Sequence, residues 1–353
     1  MFYKNKYLKI IDEINSYDKE INIMEVCGTH TEAISKFGIR SLLNSNINLI
    51  SGPGCPVCVT HNQYIDYIYN LALHENITVA TYGDMIRVPG SKLNISLEKA
   101  KALGADIRIV YSSIDALNLA IKNPHKRILF LGIGFETTTP HTAVAIKEAK
   151  DKKVNNFYVL SLHKSVEPVM RSLLEDRQLN IQGFLCPGHV GVIIGENGFK
   201  FLKHYKCAGV IAGFNMDEII LALFHIVKMI KEEKIELKNF YTSVVSKEGN
   251  TMALRTIEEV FCKKEDYWRG IGIINDSGFK IKHKYKQYDI ENIYPFEYKF
   301  NEHNICQCGE ILKGIKKPTE CKLFKKICTP ENPIGPCMVS VEGSCASYYK
   351  YLD

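Results

Sequence analysis

The sequence predicts an α/β protein with two parallel-sheet lobes facing a cleft and a smaller, cysteine-built domain at the C-terminus. Three observations lead there. Between residues 21 and about 240, eight short aliphatic runs alternate with helical stretches, the pattern of parallel sheets. Polar or Gly/Pro-rich segments follow six of those runs, at the carboxyl ends where open parallel sheets bind ligands. Six of the twelve cysteines fall after residue 300, in a stretch with few apolar runs, as in a small domain held together by metal.

The strand candidates are 21–26, 47–51, 77–81, 107–111, 127–132, 156–160, 181–185 and 208–212. They are short and β-branched or aliphatic, as strands buried on both faces are. Helices are expected at 60–73, 96–103 and 142–149, the second closed by Gly104 in a C-cap position. The eight units split into two sets of four near Asn123-Pro124, which gives lobes over 1–122 and 123–240. One large sheet or a closed eight-stranded barrel is the competing arrangement, although a barrel calls for more even spacing. Beyond 240, a helix at 253–261, glycine turns at Gly270, Gly272 and Gly278 and a charged, tyrosine-rich stretch at 280–304 lead into the cysteines, so the third domain is set at 241–353.

Composition excludes several classes. The chain has 353 residues, 46% hydrophobic and 24% charged, with a net charge of +6 and the two signs interleaved. That length supports two or three cored domains. No Lys/Arg stripe with interleaved aromatics is present, so no nucleic-acid partner is expected; a mildly basic surface suits an acidic protein partner. The first twenty residues lack a secretory h-region and cleavage site. The most apolar helical run, 219–230, is short and interrupted by His225 and Lys228, so no membrane span is expected. The expected location is the cytoplasm, where twelve cysteines point to metal or redox chemistry rather than to stable disulfides.

The motifs sit at the strand ends. Cys27-Gly28-Thr29-His30-Thr31 follows the first strand. A helix start there favours a Cys27 thiolate, while Thr29 and His30 could hydrogen-bond something held on the sulfur; a small buried cysteine beside a capping threonine is the plainer alternative. Gly52-Pro53-Gly54-Cys55-Pro56-Val57-Cys58 follows the second strand. Proline suits the first helical position, which places Cys55 at a helix N-terminus and makes Cys55/Cys58 a candidate redox dithiol, with half of a zinc site or two inert thiols as the alternatives. The third strand ends in Tyr82–Met85 and 87–91. Gly134-Phe135-Glu136-Thr137-Thr138-Thr139-Pro140 has the glycines, hydroxyls and helix-opening proline of an anion-binding loop, but lacks the lysine of a P-loop; a ligand-free helix cap is the alternative. Ser161–Lys164 follows the sixth strand. In Cys186-Pro187-Gly188-His189-Val190, His189 and Cys186 taken singly read better as structural residues. In the tail, Cys306, Cys321, Cys328 and Cys345 are separated by fourteen, six and sixteen residues. Those wide, irregular gaps favour a [4Fe–4S] cluster over zinc, with Cys308 and Cys337 leaving the ligand set open.

Together these segments resemble the HypD family of hydrogenase maturation factors, over nearly the whole chain from Met24–His30 through Gly52–Cys58, Gly134–Pro140 and Pro187–Val190 to Cys306–Tyr349. The fourth departs from the family pattern at Gly191, where a serine is expected. The resemblance implies a role in building the Fe(CN)2CO unit of [NiFe]-hydrogenases, a HypC-type small chaperone and a HypE-type cyanide donor as partners, and one [4Fe–4S] cluster. It implies Cys27 as ligand to the mononuclear iron carrying CN and CO, a role suited to soft thiolate sulfur. Thr29 and His30 would orient cyanide, Cys55 and Cys58 would form the redox pair, and Cys306, Cys321, Cys328 and Cys345 would hold the cluster. Glu136, Thr137, Thr138 and His189 would line the cleft. A general thiol–disulfide or iron–sulfur electron carrier without mononuclear iron is the alternative, and a structural zinc protein a third reading.

Overall fold

The computed structural model describes residues 2–92, 94–297 and 305–352, without the side chains of 2–6; part of the tyrosine-rich stretch at 280–304 therefore lies outside the described residues. Among the described residues, nine parallel strands form two open sheets. They are β1 (Ile21–Glu25), β2 (Ile47–Ser51), β3 (Ile77–Thr81), β4 (Ile107–Ile109), β5 (Arg127–Gly134), β6 (Phe157–His163), β7 (Gly183–Pro187), β8 (Ala208–Ala212) and β9 (Leu237–Asn239). One sheet has the order β2-β1-β7-β8-β9 and the other β4-β3-β5-β6, and every pairing within them is parallel. The α/β class holds, and among the described residues neither a closed barrel nor one large sheet forms.

The sheets cut across the division expected at 122/123. β1 and β2 pair with strands from beyond residue 180, whereas β3 and β4 pair with β5 and β6. The chain leaves the first sheet after β2, builds all of the second, and returns at β7. Nothing in a strand's own composition states its partner, because central strands of either sheet are equally apolar: β3 and β8 are buried at every position.

The expected helices form close to their expected places. Ser96 caps Leu97–Ala102, its hydroxyl accepting from the Lys99 N–H at 3.2 Å, and Gly104 ends the helix at φ +100°, a left-handed conformation that glycine takes at little cost. Met216–Lys231 buries Ile219, Ile220, Leu223 and Ile226 against the first sheet. Thr139–Asp151 buries Ala143, Ile146 and Ala149 against the second.

The boundary at 241 also moves. Helix Thr251–Val260 and the antiparallel hairpin β10 (Phe261–Trp268) and β11 (Gly272–Ile281) share the core of the second sheet. Ser165 N–H donates to Ser277 O at 2.8 Å, and Lys164 bridges to Gly278. The cysteine-rich part is therefore the short tail 305–352. It packs Cys308, Ile311, Leu312, Phe324, Ile334, Met338 and Tyr348 into the core that also contains Cys55, Cys58 and Phe135.

Candidate functional site

The carboxyl ends of five strands meet around one cavity of about 380 Å3. Its wall is Cys27, Gly28 and Thr29 after β1, Gly54, Pro56 and Val57 after β2, Tyr82–Asp84 after β3, Phe135, Thr137 and Thr138 after β5, and Pro187, His189 and Val190 after β7, with Ser340 and Glu342 of the tail closing it. A larger groove of about 710 Å3 runs beside β2 but contains no thiol, so chemistry rather than volume selects the site. The sixth expected segment, Ser161–Lys164, is absent from the wall. Lys164 turns inward: its Nζ donates to Asp266 Oδ2 at 2.7 Å and Tyr267 O at 2.9 Å, which anchors the hairpin.

Cys27 occupies the N-cap of helix Gly28–Lys36 and is buried. Its loop is fixed by Glu25, whose carboxylate accepts from Cys27 N–H at 3.2 Å and from Thr31 Oγ1 at 2.6 Å. Gly54 is required beside it, since a Cβ there would collide with the Cys27 backbone. The expected thiolate is corrected: burial, with the Glu342 and Glu25 carboxylates nearby, pushes the Cys27 thiol up to about 12. Helix-start N–H groups lower it only in part, and a bound cation would reverse the balance. Thr29 does face the cavity, but its hydroxyl donates to Glu342 Oε1 at 2.9 Å. His30 does not line the wall. Its Nε2 pairs with Gly213 O at 2.9 Å, its ring packs on Phe214 at 4.7 Å, and burial lowers it to about 4. A neutral ring donating from Nε2 leaves Nδ1 as a buried acceptor without a partner. His189 also packs on Phe214, with ring centroids 4.2 Å apart, and reaches the cavity.

In the fifth-strand loop, Thr137 and Thr138 line the wall, and Thr138 Oγ1 donates back to Ile133 and Phe135 carbonyls at 3.3 Å. Glu136 is turned away. Its Oε1 accepts from Ser165 Oγ at 2.6 Å and Val166 N–H at 3.0 Å, capping helix Val166–Glu175, where a carboxylate is favoured. Cys186 is buried among apolar residues, raised by burial and by the nearby Cys207.

Cys55 Sγ and Cys58 Sγ lie 2.7 Å apart, and Cys55 Sγ accepts from Cys58 N–H at 3.3 Å. The helix expected at 60–73 forms as Asn62–His74, and the motif before it makes its own single turn, Pro56–Val59. Burial, then hydrogen bonds to Cys337 and Cys55, raises Cys58 well above the usual thiol range. Cys337 in turn touches Cys308, and Cys308 touches Cys306. The Cys306 and Cys337 thiols donate to the Cys308 sulfur and the Arg269 guanidinium sits beside it; together they hold it well below the thiol range despite burial. A continuous line of thiols thus runs from Cys55 into the tail. Cys308 and Cys337, left open by spacing, are its central members. Glu342 was missed altogether, and no local pattern marks it.

Cys345 lies within electrostatic reach of Cys308, Cys328 and Cys321, and Cys328 of Cys321 and Cys308. With Cys308 as the fourth sulfur, this donor set has the chemistry of a four-thiolate cluster; Cys306, expected in that place, meets Cys308 and Cys337 instead. Ile334 N–H donates to Cys328 Sγ at 3.4 Å, with Gly335 beside it, the kind of bond that supports a ligand sulfur. Among the described residues, no three His, Cys, Asp or Glu side chains are grouped to hold a single metal ion, nor is any helix long and apolar enough to cross a membrane.

Comparison with known proteins gives the family. The HypD family model, described as "Hydrogenase formation hypA family", matches residues 3–352. The chain is 43% identical over 339 residues to the hydrogenase maturation factor HypD of Cupriavidus necator, covering 94% of this chain and 89% of that one. It is 41% identical to HypD of Escherichia coli over 337 residues, 95% and 90% of the two chains, and 40% identical to HypD of Rhodobacter capsulatus over 351 residues, 97% and 93%. The chain belongs to the HypD family of hydrogenase maturation factors.

Proposed function

We propose that this chain holds an iron ion at Cys27 while cyanide and carbonyl ligands are added to it, with a HypC-type chaperone sharing the iron and a HypE-type protein donating cyanide as a thiocyanate. The observation that carries this is the adjacency of the Cys27 cavity to the Cys55/Cys58 pair, with Gly28 N–H donating to Gly54 O at 3.0 Å between them. Iron is the cargo, and the cavity between the two sheets is the cleft in which it is dressed.

The chemistry balances on these residues. Two thiols and a thiocyanate RSCN give one disulfide, RSH and HCN, so Cys55 and Cys58 supply two electrons and two protons and are oxidised to a disulfide. Thr137, Thr138 and His189 face the space in which a released cyanide would sit. Exchange through Cys337 restores the dithiol and passes the disulfide into the tail. A [4Fe–4S] cluster on Cys321, Cys328 and Cys345, with Cys306 or Cys308 as the fourth thiolate, supplies electrons to the remaining tail thiols when bound. Deprotonating Cys27 needs a cation, so iron binding releases a proton there.

Infrared spectroscopy of the anaerobic complex with a HypC-type partner tests the reading. Wild type is expected to show Fe–CN and Fe–CO stretches, and Cys27→Ala to lose them while keeping the tail iron. Cyanide bands retained in Cys27→Ala would refute it. The thiol line also favours a second reading, an electron carrier without mononuclear iron; iron analysis showing only the tail iron in the partner complex would select that one.

A further inference from the structure

Arg269 begins the turn between β10 and β11 and is 4% exposed. Its backbone N–H donates to Val59 O at 2.9 Å, which ties it to the end of the Cys55–Cys58 turn. On its other side Gly270, at φ +74°, meets Gly309 backbone to backbone; a Cβ on either would collide with the other. The guanidinium is therefore fixed beside the Cys308 sulfur. Its Nε and Nη2 have no hydrogen-bond partner, and no carboxylate pairs with it among the described residues.

Lys164 shows what this fold does with an ordinary buried cation: Asp266 neutralises it at 2.7 Å. Arg269 receives no such partner, and an arginine cannot shed its proton. A permanently charged, buried guanidinium that no carboxylate meets, with Nε and Nη2 still without partners, is costly unless an anion completes it. The groups brought next to it are sulfurs: Cys308, whose neighbour Gly309 meets Gly270, with Cys306 and Cys337 beside Cys308.

We propose that Arg269 is the built-in counter-charge of the sulfur centre formed by the tail cysteines, favouring the negative charge that reduction adds and so raising the centre's reduction potential. This rests on the reading that the tail binds a reducible iron–sulfur centre. Net charge and hydrogen bonds to sulfur are what tune such potentials, and a fixed cation favours the state richer in electrons.

The test uses the full chain purified without oxygen, as wild type, Arg269→Met and Arg269→Lys. Dithionite titration, followed by visible absorbance and electron paramagnetic resonance, gives the midpoint potential, with iron and sulfide measured alongside. Arg269→Met is expected to bind the same iron but to lower the reduced-to-oxidised ratio at a given potential at least tenfold, about 59 mV for a one-electron couple. Arg269→Lys should stay with the wild type. The proposal is overturned if Met titrates with the wild type, or if Lys shifts as far as Met. Folding is itself a readout. Replacing a buried charge that no carboxylate neutralises with an apolar group of similar length is commonly neutral or stabilising, so metal-free Arg269→Met should melt no lower than metal-free wild type. A collapse of that variant would mean that protein groups already satisfy the guanidinium, and would also overturn the proposal. A wild type with no reducible centre would instead refute the cluster reading beneath it.

Discussion

Glu25 shows how one side chain sets up the site. It is wholly buried, yet it holds both the Cys27 N–H and the Thr31 hydroxyl. Burial raises it to about 7, against the lowering effects of Thr31 and Arg40. The folded state thus holds a proton between about pH 4.5 and 7 that the unfolded chain has released. Its contribution to stability is full below the unfolded value and is lost as pH rises through about 7. His163, lowered to about 3 by burial, acts in the opposite sense: its contribution is full above its unfolded value of about 6.5 and is lost as pH falls toward 3. Urea unfolding of metal-free wild type and Glu25→Gln at pH 5 and 8 separates the two. The wild type should lose about 2.5 kcal/mol relative to Glu25→Gln over that range. Equal pH slopes would mean that Glu25 is not a buried carboxyl with a raised pKa. The sequence revealed Cys27 as special but not its protonation, because the Glu25 and Glu342 carboxylates that oppose a thiolate come from burial and from a segment more than three hundred residues away.

At the scale of elements, the tail is a strap across the ends of both sheets. Thr29 Oγ1 donates to Glu342 on the first-sheet side. On the second-sheet side, Ser340 Oγ donates to Asp84 Oδ2 at 2.8 Å, and Arg87 Nη2 donates to Pro330 O and Glu331 O at 2.6 and 2.9 Å. Helix Ser344–Tyr351 packs on helix Gly28–Lys36, with Tyr351 OH donating to Glu32 at 3.2 Å. Glu342→Ala strands the Thr29 hydroxyl and releases one side of the strap, at a cost of about 1–3 kcal/mol for a part-buried bond to a charged group. Hydrogen exchange should then quicken in both Gly28–Lys36 and 340–352, while β3 and β5 stay protected. Exchange confined to the tail would show that the strap does not hold the Cys27 helix. Strand existence was legible because burial on both faces leaves continuous apolar runs. Less legible were β9, three residues long and only half-buried, and the β10–β11 hairpin, whose exposed Lys263 and half-buried Lys264 hide the alternation. Ser161–Lys164 looked like a loop for ligands because a buried ion pair and a catalytic pair use the same residue types.

At the scale of the whole molecule, the fold joins thiols that the sequence holds far apart. The chain builds the second sheet between two visits to the first, and this interleaving is decided by strand pairing, which composition does not state. It places Cys58 against Cys337 across 279 positions. That contact makes a specific demand on electron flow. Cys337→Ser leaves Cys55, Cys58 and the four proposed cluster ligands in place but removes the sulfur that would attack a Cys55–Cys58 disulfide. Protein oxidised at that pair by a small thiocyanate should therefore release one cyanide per chain and then stop, whereas wild type supplied with a one-electron donor continues. Thiol trapping with mass spectrometry reads the pair directly. The Cys55–Cys58 disulfide should persist in Cys337→Ser and be re-reduced at least a hundredfold faster in wild type. Cys186→Ser, at a buried thiol off this line, should behave as wild type. Equal re-reduction in Cys337→Ser and wild type would reduce the Cys58–Cys337 contact to packing, and electrons would have to reach the Cys27 cavity by a route that bypasses the tail thiols.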